Sequence, residues 1–233
     1  MPNQTISRNI ADIIAQNLPE ICRLRAMRVM KEDGSYVTEG DVLCERLVAD
    51  YVRTMPRDFE LISEEMDLSA FTYDPTKSYI VLDPVDGTEN FTSGLKEWGV
   101  SVSVYVAGAH TESMLLLPEL GLQMVTGDEF VRRESRIHGL SSTLDKKYFL
   151  TLSDGREYRI TGCCVFNMYN VISGSFATFE NPKGARVWDI LAGLNLALEH
   201  DLAVTVDGKP YTGEFLPDLS KKYRFKVEGK QGS

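Results

Sequence analysis

The chain has 233 residues, with 43% hydrophobic and 25% charged, enough apolar material to bury the core of one large domain or two small ones. A formal net charge of −9 argues against a nucleic acid polymer as partner, because phosphate backbones are held by clustered Lys and Arg. No apolar run is long enough to span a membrane, and the first residues lack the basic start and apolar block of a signal peptide, so a cytoplasmic location is expected.

Isoleucines and Leu18 at helical spacing predict a helix over 6–30, broken or kinked at Pro19. Thr38 is placed to cap a second helix that ends before Pro56. Short apolar runs at 59–62 and 79–82 read as strands, and the alternating valines of 98–106 read as a half-buried strand. The stretch 107–159 predicts β-hairpins, with turn chemistry at Pro118 to Gly121, at Gly127-Asp128 and at Ser153-Asp154-Gly155. Helices are expected over 163–173 and 189–199, and strands over 176–179 and 203–206. The residues after about Leu219 read as a charged tail. Helix pairs mixed with several strands indicate a layered α/β or α+β domain.

The four cysteines, Cys22, Cys44, Cys163 and Cys164, show no CxxC or Cys/His spacing, so reduced thiols are expected rather than a zinc site or a disulfide framework. His110, His138 and His200 are scattered and read as surface or structural residues.

The informative segment is Tyr79-Ile80-Val81-Leu82-Asp83-Pro84-Val85-Asp86-Gly87-Thr88-Glu89-Asn90-Phe91. An apolar strand runs into two aspartates separated by Pro84 and Val85. Pro84 biases Asp83 towards an extended conformation and fixes its own φ, so the strand is expected to end in a rigid turn. Such a turn can aim both carboxylates and the Val85 carbonyl at one point, and these are the hard oxygen ligands that Mg2+ accepts. Gly87 permits close backbone approach, and Thr88 stands where the N-cap of a helix starting at Glu89 belongs. The free N–H groups of that helix start would face a phosphate. Spacing alone leaves a second reading, an Asp-Pro, Asp-Gly turn followed by a capped helix.

This segment resembles the first signature of the inositol monophosphatase family, part of a lithium-sensitive phosphatase superfamily with fructose-1,6-bisphosphatases and bisphosphate nucleotidases. Val187-Trp188-Asp189-Ile190-Leu191-Ala192-Gly193 resembles the second signature. Ser63-Glu64-Glu65 resembles the paired glutamates after a strand, and Val37-Thr38-Glu39-Gly40-Asp41 resembles the upstream Val-Thr…Asp element, with Lys31 near a customary basic residue. The resemblance implies a layered α-β-α-β-α sandwich of the sugar-phosphatase type. It implies a single phosphatase domain over 1–233, with a metal-bearing half over 1–126, a sheet-and-helix half over 127–215 and a tail over 216–233. It implies two or three Mg2+ ions: Glu64, Asp83 and the Val85 carbonyl for the first, Asp83, Asp86 and Asp189 for the second, and Glu64 with water for a weak third. Asp41 and Thr88 would orient and deprotonate the attacking water, and the Gly87 and Thr88 N–H groups would hold the phosphate. A homodimer is also implied.

Two departures bear on substrate. The stretch between the signatures is shorter than in typical members, and His200-Asp201 stands where paired glycines are usual. Glu180 matches the position from which inositol-specific members contact ring hydroxyls, and a carboxylate suits two vicinal hydroxyls; an exposed acid at a strand end is the alternative. Cys163 and Cys164 follow Gly162 in the segment where the family contacts substrate. The expected activity is Mg2+-dependent hydrolysis of a small polyol or sugar phosphate such as inositol 1-phosphate. Fructose-1,6-bisphosphatase or 3′-phosphoadenosine-type nucleotidase activity is the alternative on the same fold, and a non-catalytic phospho-ligand-binding protein is the alternative of another class.

Overall fold

The computed structural model describes residues 5–31, 34–67, 71–142, 144–152 and 154–229. Helix α1 spans Ile6–Leu24 and α2 spans Glu39–Arg53, and between them β1 (Arg28–Met30) and β2 (Tyr36–Thr38) form an antiparallel ribbon. Helix α1 runs through Pro19 instead of breaking there, because Ile10, Ile14 and Ile21 are all fully buried against the sheet beneath. That packing outweighs one missing backbone hydrogen bond, a loss of about 3 kcal/mol in an unsupported helix. The predicted helix was too long at its C-terminal end, where Arg25 caps α1 and the chain turns into the ribbon. Thr38 caps α2 as expected, in a reciprocal box with Asp41.

A five-stranded sheet follows in the order β3-β4-β5-β6-β7, built from Glu60–Ser63, Tyr79–Asp86, Gly99–Val106, Ala109–Leu117 and Leu122–Val125. β3 and β4 are parallel; the remaining neighbours are antiparallel. The even-numbered side chains Ile80, Leu82, Val100, Val102 and Val104 meet α1 and α2 in one core. β5 is buried on both faces rather than half-buried: its serines lie under α6 (Val187–Glu199), where small side chains let the helix approach. The Pro118-to-Gly121 turn joins β6 to β7 through a short 3-10 turn, as its chemistry predicts.

The second sheet has six strands in the order β12-β11-β13-β10-β8-β9. They are β8 (Ile137–Leu140), β9 (Glu157–Ile160), β10 (Thr178–Ala185), β11 (Ala203–Val206), β12 (Lys209–Pro210) and β13 (Tyr223–Glu228). Helices α5 (Cys164–Ser173) and α6 fill the space between the two sheets in a second apolar core. The short α4 (Lys146–Phe149) lies on the far face, where Tyr148 meets Glu180, so the expected α-β-α-β-α layering holds with a minimal last layer.

Two expectations fail here. No hairpin joins β8 to β9; the strands are parallel and linked through α4, and Ser153 lies outside the described residues. The 216–233 stretch is more than a tail, because β13 inserts between β10 and β11 and buries Tyr223, Phe225 and Val227. Its alternation of apolar and charged residues is the period-2 signal of a half-buried strand, hidden in the sequence by a high lysine content.

Candidate active site

Four acidic side chains from three parts of the fold converge. β3 ends at Ser63 and presents Glu64 in the following turn; β4 delivers Asp83 from its buried interior; the first turn of α6 carries Asp189. One carboxylate oxygen from each of Glu64, Asp83 and Asp189 lies within 4.8 Å of the others. β4 does not stop at Pro84 in a turn. The strand continues to Asp86 across a register shift against β5, and a bulge is one of the few places where a strand tolerates proline. The bulge swings Val85 into the α1/α2 core and sends Asp86 towards α5. There the Val165 N–H donates to Asp86 Oδ2 at 2.5 Å and the Cys163 thiol donates to the same oxygen at 2.8 Å.

Gly87 caps helix α3 (Thr88–Thr92) in the left-handed region at φ +84°, so Thr88 is the first helical residue and not the cap. A Cβ at Gly87 would stand 2.9 Å from Cys163 Cβ, so the glycine serves both the turn and the close approach to α5. The Thr88 hydroxyl donates to the Val85 carbonyl at 3.0 Å, which leaves that oxygen a second lone pair. Asn90 ties the motif to the start of α5, donating to the carbonyls of Glu97 and Thr161 at 2.7 Å each.

Electrostatically the cluster is under stress. Burial, with the charges of Glu64, Asp86 and Asp189, holds the Asp83 carboxyl well above the usual carboxylate range. Burial also raises Asp86 against the hydrogen bonds from Cys163 and Val165, and raises Asp189 together with the charges of Asp86 and Glu64. Burial pushes Asp41 up to about 6 even though Thr38 donates to it twice, and pushes Glu65 up to about 7 against its bond from Lys31. Lys31 reaches Glu65 at 2.7 Å and Glu64 at 3.1 Å; burial opposes its charge, yet the two glutamates push it up to about 12. One lysine cannot neutralise this many buried acids. A bound divalent cation can, and an all-oxygen carboxylate set suits a hard ion such as Mg2+.

Beside the cluster opens a cleft of about 660 Å³, lined at one end by Glu64, Asp86 and Asp189 and along its sides by Cys163, Cys164 and Asn167. Asp41 lies outside this lining, buried in the first turn of α2, and shares no hydrogen bond with Thr88. Glu180 does not line the cleft either. Its strand neighbours Phe179 and Asn181 do, and the period of the strand turns Glu180 to the opposite face, against Tyr148. Trp188 sits in the core cluster and also forms part of the cleft wall. The three histidines stay off the cleft: His110 meets Ser113, His138 meets Thr178 and His200 stacks on Phe130. Sequence reasoning missed Asn167, Arg186 and Lys222. A β-bulge and a late strand bring the last two to the cleft, and no local pattern signals either.

A buried carboxylate centre beside an open polar cleft is the layout of a metal-assisted hydrolase. The model of the inositol monophosphatase family matches residues 3–129, more than half of the chain. The Nus factor SuhB of Pasteurella multocida (strain Pm70) is 33% identical over 191 residues, covering 70% of this chain and 69% of the relative. The chain therefore belongs to the inositol monophosphatase family, whose members hydrolyse phosphate monoesters with the help of metal ions. Solved structures agree on the fold. A staphylococcal inositol monophosphatase-1 in a LiCl-soaked inhibitory complex superposes with a TM-score of 0.78 at 18% identity, covering 98% of this chain and 92% of that one. An IMPase/NADP phosphatase complexed with NADP and Ca2+ gives 0.76 at 19% identity, covering 98% and 93%. Among the described residues no helix is long and apolar enough to cross a membrane.

Proposed function

We propose that the chain is a Mg2+-dependent phosphomonoesterase that cleaves the phosphate ester of a small polyol, sugar or nucleotide with water. The observation that carries this reading is the convergence of Glu64, Asp83 and Asp189 within 4.8 Å at the end of a cleft that Asp86 also lines. Glu64, Asp83 and the Val85 carbonyl would hold one ion; Asp83, Asp86 and Asp189 would hold a second; Glu64 would lean on a third. Bound there, Mg2+ supplies positive charge that activates water and offsets the charge of the transferring phosphoryl group.

The chain's own groups provide the positioning. Asp86 is fixed by the Val165 N–H, and Asp189 Oδ2 is fixed by the Arg186 N–H at 2.7 Å. The first N–H groups of α3 have no intrahelical partner and form the proposed phosphate cradle with Gly87. The family resemblance gives Asp41 and Thr88 the proton of the attacking water. Asp41 Oδ2 is occupied by Thr38, so Oδ1 would be the accepting atom, and Thr88, which here donates to the Val85 carbonyl, would have to turn to reach it. The case for inositol 1-phosphate in particular rested on Glu180. With Glu180 against Tyr148, the cleft supports the broader class of alcohol.

The test is phosphate release from a panel of monoesters with and without Mg2+. Magnesium-dependent release from at least one is expected; none from any, with metal shown to bind, would favour a phospho-ligand-binding protein instead. The family resemblance also points to a cytoplasmic homodimer, which light scattering on the purified chain checks for the assembly.

A further inference from the structure

Asn90 is the third residue of α3 and only 9% exposed, and both hydrogens of its amide are spent on carbonyls outside its own helix. One goes to Glu97 and the other to Thr161, at 2.7 Å each. The two carbonyls belong to the two segments that hold Asp86. Glu97 stands just ahead of Gly99, where β5 pairs with Asp86 itself. Thr161 stands just ahead of Gly162 and Cys163, where the chain enters α5 and supplies the Cys163 thiol and the Val165 N–H to Asp86 Oδ2. The fit around the amide is close. Gly162 has φ +81°, and a Cβ there would stand 2.9 Å from Asn90 Oδ1. A Cβ on Gly99 would stand 2.4 Å from Val165 Cγ1, so the same two segments meet a second time. Asn90 does not line the cleft, and it touches the site only through these contacts.

We propose that Asn90 is the positioning residue of the second metal position. Its amide sets the spacing between the start of β5 and the start of α5, and that spacing decides whether Asp86 keeps the donors that orient it. This rests on the phosphomonoesterase reading above and on the metal role it gives Asp86. A ligating carboxylate whose hydrogen-bond partners shift loses its orientation, and such losses weaken metal binding by about 10- to 100-fold. The hydrolysis itself asks nothing of the Asn90 amide. Its loss is therefore felt in the Mg2+ requirement before it is felt in turnover at saturating metal.

The experiment measures Mg2+ binding by titration calorimetry alongside the Mg2+ dependence of phosphate release. Asn90→Ala should weaken Mg2+ binding and raise KM for Mg2+ by about tenfold, while kcat at saturating Mg2+ stays within about threefold. Gly162→Ala presses on the same amide from the opposite partner and should shift both quantities in the same direction, which gives a second reading of the contact. Asp86→Asn removes the carboxylate through which Asn90 acts, so adding Asn90→Ala to it should weaken Mg2+ binding no further. A role in general stability alone would add its full effect in that background. Wild-type Mg2+ affinity in both Asn90→Ala and Gly162→Ala, or a full additional loss on top of Asp86→Asn, overturns this inference and leaves the proposed function standing. No Mg2+ binding by the unaltered chain, with no Mg2+-dependent release from any monoester, overturns the proposed function itself.

Discussion

A carboxylate oxygen of Asp83 on β4 and one of Asp189 on α6 lie within 4.8 Å of each other, both side chains turned away from solvent. Two acids so placed cannot both be ionised without a cation between them. Asp189→Asn removes one charge while its amide oxygen still accepts the Arg186 N–H that caps α6. Turnover is expected to fall by at least about a hundredfold, because a charge that binds metal and serves the transition state is gone. The melting temperature in chelator should stay level or rise, since like-charge repulsion falls. Near-wild-type turnover in a steady-state assay, with metal at saturation, would refute the role.

The same crowding sets a pH dependence of stability. Asp41 and Glu65 are raised to about 6 and about 7 in the folded chain, and Asp83 is also raised, by burial and its acidic neighbours. The folded state therefore keeps protons that the unfolded chain has already released above about pH 4. Binding more protons when folded makes stability fall as pH rises, here across the window from about 4 to about 7. Divalent metal offsets the charges left behind, so the rise in melting temperature on adding Mg2+ should be larger at neutral pH than near pH 5. Calorimetry in chelator and in Mg2+ at both pH values decides it, and an equal rise at both would count against metal at this cluster.

The convergence of Asp83, Asp86 and Asp189 was legible because they sit in two short signatures whose local chemistry is distinctive. Asp83, Pro84, Asp86 and Gly87 carry their geometry in the residue types themselves, and Thr38 with Asp41 spells a capping box. What escaped depends on long-range registration. Glu180 was assigned by its place in a motif, yet the face it presents is fixed by pairing with β8 and β13 and by the bulge that follows it. Lys222 reaches the cleft only because β13 pairs with β10, a contact between segments far apart in sequence that no periodicity encodes. The misjudged end of β4 has the same origin: proline reads as a stop until a neighbouring strand absorbs it in a bulge.

Lithium offers a test of the second metal position. Li+ is a small hard cation that accepts carboxylate oxygens, but it carries half the charge that Mg2+ brings to a departing alkoxide. Occupying the Asp83, Asp86 and Asp189 position, it should slow turnover without preventing substrate binding. Inhibition by LiCl, absent with equal KCl, is the expected outcome in a phosphate-release assay. Identical rates in the two salts would remove that position from the mechanism.

Gly87→Ala attacks the site through its backbone. The left-handed φ of +84° costs an alanine about 1 kcal/mol, and a residue held in such a region by its surroundings can cost up to about 3 kcal/mol. The new methyl would also stand 2.9 Å from Cys163 Cβ, closer than carbon atoms approach, so β4 and α5 must separate. Asp86 depends on that proximity, because both of its donors, Val165 N–H and the Cys163 thiol, come from the start of α5. The variant should lose about 2 to 4 kcal/mol in urea denaturation, combining strain with overpacking. Its KM for Mg2+ should rise as Asp86 loses its bearings. A variant as stable as wild type with an unchanged Mg2+ requirement would show that this contact does not hold the site together.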